Sequence, residues 1–103
     1  MSQVSAYNAL AEPHRRQILD LLRERERPVG ELVDRLALSQ PGVSKHLKVL
    51  RGAGLVTVRA DGKRRLYALR AEPLAEVDAW LARYRAFWSE RLDDLQRHLE
   101  ANP

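Results

Sequence analysis

"SQPGVSKHLKVLRGAGLV", Ser39 to Val56, decides how this chain is read. Ser39 is a good N-cap, so Gln40, Pro41 and Gly42 form the first turn of a helix. A proline there lacks only an N–H that has no partner inside the helix. Val43, Leu47 and Leu50 share one face, and Gly52 and Gly54 stop the helix. Lys45 and Lys48 lie on the outside. The free N–H groups of the first turn and the helix dipole favour a phosphate. Gly42 has no side chain, so backbone or neighbouring groups can approach a base edge or phosphate closely. Gln40 offers a donor and an acceptor that match adenine in the major groove. Ser44 and Lys45 follow on the same outer surface, with Lys48 one turn further on.

Working outward, "RPVGELVDRL" carries Val29, Leu32, Val33 and Leu36 at helical spacing, and "ALS" joins it tightly to the helix after it. Two helices so joined, the second basic outside, make a helix-turn-helix candidate. Further upstream, "EPHRRQILDLLRERE" starts with Pro13, suited to a first turn, and gives a stripe of Ile18, Leu21 and Leu22. Val4, Tyr7, Leu10 and Ala11 suggest a short first helix. Downstream the period falls from 3.6 to 2. Val56 and Val58 alternate with Thr57 and Arg59, and Tyr67 and Leu69 with Leu66 and Ala68, around the turn pair Asp61-Gly62. The tip of this hairpin gathers Lys63, Arg64 and Arg65. A basic hairpin behind a recognition helix is a wing, able to reach the flanking minor groove or backbone.

From Pro73 the helical period resumes through Leu74, Val77, Leu81, Tyr84, Trp88, Leu92, Leu95 and Leu99, with Trp80 and Phe87 widening the stripe. Such a helix is about 42 Å long, and one small domain cannot cover both ends of it. Aromatic side chains are favoured at interface cores. The expected dimer interface is therefore Leu74, Val77, Leu81, Tyr84, Trp88, Leu92 and Leu95, with Val4 and Tyr7 from the first helix. Part of the stripe must belong to the chain's own core. An alternative use of the aromatic cluster is to line a pocket for a small-molecule effector, which nothing in the sequence identifies. The expected fold is mainly α with a small β-hairpin, in the order α-α-α-α-β-β-α. It forms one unit, 1–103, with a recognition helix at 39–53, a wing at 55–70 and a dimerisation helix at 73–100.

Composition agrees with that plan. The chain has 103 residues, is 45% hydrophobic and has no cysteine, which removes disulfides, thiolate metal sites and cysteine nucleophiles together. No apolar run approaches the roughly 18 residues of a membrane span, and no secretory leader is visible. From Ser39 to Arg65 seven basic residues face one acid, a net +6 against +4 for the whole chain, which leaves −2 for the remainder. Charge alone fits a polyanion-binding face or a solvated basic surface equally well. The basic wing behind the helix-turn-helix favours DNA. An enzyme is disfavoured, because the three histidines are scattered and no familiar catalytic motif is present. A protein-interaction module built on the aromatic helix is the other alternative.

"LAEPHRRQILDLL", "SQPGVSKHLKVLRGAGLV" and "GKRRLYAL" closely resemble the ArsR family of bacterial winged helix-turn-helix repressors, continuously over roughly residues 6 to 70. The resemblance implies a dimeric, cytoplasmic repressor on a palindromic double-stranded DNA operator. The family's recognition residues map onto Ser39, Gln40, Pro41, Gly42, Ser44 and Lys45, and its wing onto Arg59, Lys63, Arg64 and Arg65. The chain departs from the family's metal sensors, which carry Cys-x-Cys where this chain has "GELVDRL". Other members use carboxylate and histidine ligands on the last helix. Here Glu90, Asp94 and His98 fall four apart on one face of that helix, which also fits a solvated acidic face. No cofactor and no metal site is assigned. His46 reads as a packing or phosphate-contacting residue and His14 as a surface residue at a helix start.

Overall fold

The computed structural model describes residues 5–101. Ser5 caps α1 (Ala6–Leu10) by accepting a hydrogen bond from the Asn8 backbone N–H. Glu12 does the same for α2 (Pro13–Glu24), accepting from Arg15 N–H at 3.0 Å, with Pro13 as first helical residue. The end of α1 is satisfied from α2. Arg15 donates to the carbonyls of Ala9 and Asn8, and Arg16 donates to that of Leu10. The paired arginines thus close the preceding helix against the one they belong to. The buried face of α1 is Ala6 and Ala9, small enough to let the helix lie close, while Tyr7 turns outward.

The region before the third helix departs from expectation. Arg27–Pro28 is a short strand, β1, and α3 runs only over Val29–Leu36. The hairpin strands are β2 (Val56–Asp61) and β3 (Arg64–Leu69). β1 pairs antiparallel with β3, Arg27 opposite Tyr67 and Pro28 opposite Leu66, so the sheet has three strands in the order β1-β3-β2. The expected two-stranded hairpin is corrected accordingly. Pro28 sits in an edge strand, where a missing N–H is tolerated. The hairpin loop is Gly62–Lys63, closed by Asp61 opposite Arg64, one residue beyond the expected Asp61–Gly62. Gly62 has φ +63°, and a glycine placed first is what such a two-residue loop favours.

The link from α3 to α4 (Gln40–Gly52) is three residues long and starts with Ala37 in the left-handed region, φ 55°. α4 ends as expected, and Gly54, φ +74°, turns the chain into β2. One core joins α1 to β2: Ala6, Ala9, Ile18, Leu19, Leu22, Leu32, Val43, Leu47, Leu50, Leu55 and Val56. α5 (Leu74–Ala101) begins against this core through Leu74 and Val77 and then leaves it. None of its residues is fully buried, and Trp80, Tyr84, Phe87, Trp88, Leu92, Leu95 and Leu99 are exposed.

Candidate nucleic-acid interface

α4 and the wing meet on one face. Ser39 caps α4 by accepting the Gly42 N–H at 3.2 Å. A Cβ at position 42 would stand 3.2 Å from the Ser39 hydroxyl oxygen, so the glycine keeps the cap seated. Val43, Leu47 and Leu50 pin the inner face of α4 to the core. Ser39, Gln40, Pro41, Ser44, Lys45 and Lys48 are left exposed on the outer one, with Gly42 half-buried between them.

Gln40 and Ser44 from α4, Lys63, Arg64 and Arg65 from the wing, and Pro28, Val29 and Gly30 at the start of α3 surround an open hollow of about 600 Å³, with Tyr67 in its wall. A second hollow of about 240 Å³ lies between α4 and the outer side of the wing, with Arg51, Arg59 and Arg65 among its lining. Arg65 lines both. Of the residues expected at the DNA, Gln40, Ser44, Lys63, Arg64 and Arg65 are therefore neighbours across one groove, whereas Ser39, Pro41, Gly42, Lys45 and Lys48 line neither hollow. The contributions of Arg51 and of the α3 start are not evident from the sequence. Arg51 sits past the polar face at the start of the helix, and a Pro-Val-Gly entry carries no charge signal.

The wing cations differ in their surroundings. Lys63 and Arg65 have no carboxylate partner among the described residues, and neither do Lys45 and Lys48 on α4. Arg64 donates to Asp61 across the loop at 3.2 Å. Arg59 forks onto Glu26, its Nε donating to Oε2 at 3.1 Å and Nη2 to Oε1. That hydrogen bond is the main reason the Glu26 carboxyl is held below its ordinary pKa and the Arg59 guanidinium above its own. The pair ties the middle of β2 to the residue before β1. It also offsets the Arg59 charge locally, whereas the sequence places Arg59 on the wing face without showing its partner.

Arg27 has no counterpart in the sequence reading. Only 2% of it is exposed, and among the described residues it is the one charged side chain that is buried. Its Nε donates to the Leu21 carbonyl at 3.0 Å, Nη2 to Glu24 at 2.5 Å and Nη1 to Glu31. Arg25 also donates to Glu31. The Arg25 hydrogen bond lowers the Glu31 pKa, burial opposes it, and Arg27 lowers it further. This buried cation fastens the end of α2 and the start of α3 to the edge strand β1.

Of the dimer residues expected from sequence, Leu74 and Val77 pack against the chain's own core and Leu81 is half-buried. Tyr7 donates its hydroxyl to the Glu76 carbonyl at 3.1 Å and meets Trp80 edge-on, ring centroids 6.1 Å apart. Tyr84, Trp88, Leu92 and Leu95 stay exposed. Val4 lies outside the described residues. Among the described residues no helix is long and apolar enough to cross a membrane.

A capped recognition helix, a basic three-stranded wing and a trailing amphipathic helix define a winged helix-turn-helix DNA-binding protein. Residues 12–58 match the model of the bacterial regulatory protein, arsR family. The HTH-type transcriptional repressor SmtB of Mycobacterium tuberculosis is 49% identical over 69 residues, 67% of this chain and 51% of that protein. The HTH-type transcriptional regulator Rv2034 of the same species is 44% identical over 87 residues, 84% of this chain and 78% of that protein. A crystal structure of an ArsR family transcriptional regulator superposes with a TM-score of 0.69 at 32% identity, covering 81% of this chain and 91% of that one. The chain belongs to the arsR family of bacterial regulatory proteins. Its fold and family are those of a DNA-binding transcriptional regulator and not of an enzyme. The match spans about half the length of SmtB.

Proposed function

We propose that this chain is a cytoplasmic repressor that binds a palindromic operator as a homodimer. Residues 1–103 act in this reading as one DNA-binding unit. The observation that carries it is the shared groove. Gln40 and Ser44 at the start of α4 face Lys63, Arg64 and Arg65 of the wing across one hollow. In the complex α4 enters the major groove by its N-terminal turn. Gln40 reads a base edge, and Ser39, Pro41, Gly42 and Ser44 line the close approach. Lys45 lies near the bases, and Lys48 meets the backbone. Lys63 and Arg65 contact phosphates or the flanking minor groove. Arg59 acts chiefly through Glu26, holding the wing at its angle to α3.

The exposed aromatic and leucine stripe of α5 supports the dimer part of the reading. Trp80, Tyr84, Phe87, Trp88, Leu92, Leu95 and Leu99 form a long exposed apolar surface that, beyond the Tyr7–Trp80 contact, the described residues leave uncovered. Two-fold pairing through α5 sets the two copies of α4 one DNA turn apart, about 34 Å.

Gln40→Ala tests the base-reading role. It should cost about 1–3 kcal/mol on the preferred site and relax the choice of base at one position in each half-site. Equal loss of affinity on preferred and random DNA, measured by titration, would assign Gln40 a backbone contact instead.

A further inference from the structure

Away from the DNA-facing groove, Glu12, His14 and His46 bring one ligand atom each to within 4.8 Å of one another. The three come from two elements. Glu12 is the N-cap of α2, His14 stands in its first turn, and His46 reaches over from α4. His14 Nδ1 lies 3.1 Å from Glu12 Oε1, and His46 Nε2 lies 3.9 Å from Glu12 Oε2. The imidazole centroids are 5.7 Å apart with the rings tilted by 35°. All three residues are half-buried. Burial raises the Glu12 pKa, but the Arg15 N–H, the His14 hydrogen bond and the charges of His14 and His46 outweigh it.

His46 Nδ1 is buried and has no hydrogen-bond partner among the described residues. His46 Nε2 faces Glu12 Oε2 at 3.9 Å, so a cation bound there takes the place of a proton on Nε2. The tautomer with the proton on Nδ1 points the Nε2 lone pair at Glu12 and His14. We propose that Glu12, His14 and His46 form a binding site for a divalent first-row transition-metal ion such as Zn2+, bridging α2 and the recognition helix.

Two imidazoles and one carboxylate suit such an ion, and three protein ligands leave a fourth position for water. Metal–ligand distances of about 2.0–2.2 Å in a tetrahedron place donor atoms about 3.3 Å apart. The Glu12–His14 pair already has that spacing at 3.1 Å, and His46 Nε2, 3.9 Å from Glu12 Oε2, closes on the pair by a side-chain movement. Glu90, Asp94 and His98 on α5 do not make such a group within one chain. Along the helix they span about 12 Å.

The test uses the untagged full chain titrated with Co2+, read by visible d–d absorption, with thermal unfolding in Zn2+ alongside. The wild type should take up one Co2+ per chain with tetrahedral-type bands, and its unfolding midpoint should rise with Zn2+. His14→Ala changes a partly exposed side chain and should keep the fold, checked by circular dichroism. It should weaken Co2+ binding by about tenfold or more and abolish the Zn2+-dependent rise. Glu12→Gln should do the same, and His98→Ala should leave both readouts as in the wild type. Absence of bands in the wild type would overturn the site, as would bands that survive His14→Ala and disappear in His98→Ala.

Discussion

At the scale of single residues, Arg27 is the least expected side chain in the molecule and among the most constrained. A buried guanidinium is tolerated because every direction it points in holds an acceptor: the Leu21 carbonyl, Glu24 and Glu31. Arg27→Met keeps much of the volume and removes all three bonds. It should destabilise the chain by about 3 kcal/mol, the low end for a broken buried pair, because Glu24 and Glu31 remain near water. Urea unfolding checks this, and a change within about 0.5 kcal/mol would mean that the network contributes little. Nothing in the sequence marks Arg27 among eighteen basic residues, since burial of a cation follows from three-dimensional partners and not from periodicity. Ser39 is the opposite case. Its capping role is local, set by its own backbone and by the N–H three residues on, so it is legible in the sequence itself.

At the scale of elements, the hydrophobic periods locate every helix and both hairpin strands, because each carries an apolar face, turned to the shared core in all but α5, which packs there only through its start. β1 escapes because two residues are too few for a period. Its pairing with β3 spans some forty positions of sequence, Arg27 opposite Tyr67. The Glu12–His14–His46 group escapes for a related reason: His46 belongs to a strong helix pattern that gives its neighbours but not the element facing it. The ion pairs between elements have a pH signature. Glu26 and Glu31 are held below the ordinary carboxyl pKa of 4.5. The folded state therefore binds fewer protons than the unfolded one in that range. The stability they contribute is full above pH 4.5 and is lost as pH falls through their lower folded values. Replacing both by glutamine should flatten the fall in stability between about pH 5 and pH 3, read from urea midpoints. A slope equal to that of the wild type would show that other carboxylates govern acid unfolding.

The wing makes its own prediction at this scale. Lys63 and Arg65 have no carboxylate partner among the described residues, unlike Arg64 and Arg59. Lys63→Ala with Arg65→Ala should weaken binding to all DNA alike. It should also reduce the slope of log affinity against log salt by about 0.9 for each phosphate no longer neutralised. An unchanged slope would remove the wing tip from the interface and favour a protein-interaction role for this fold.

At the scale of the whole molecule, a compact DNA-reading head carries a 28-residue helix that outruns its own core. The long stripe is visible in the sequence, but its division is not. Leu74 and Val77 belong to the head, and the exposed apolar surface begins near Trp80. The acid-rich far end of α5 and the basic groove between α4 and the wing separate the two tasks along the chain. That division makes sense of the stretch from Ser39 to Val56. Pro41 and Gly42 sit where a helix tolerates them, at the end that the proposed complex aims at DNA, while the second copy that this proposal needs for a two-fold site would be recruited through α5.

The central claim is that two copies of α4 read one palindromic site. Selection of bound sequences from random double-stranded DNA by the purified full chain tests it most directly. The account predicts an enriched inverted repeat whose half-site centres lie about one helical turn apart, about 10 base pairs. Recovery of sequences no different from the unselected pool, or of a single half-site with no second copy, would contradict it.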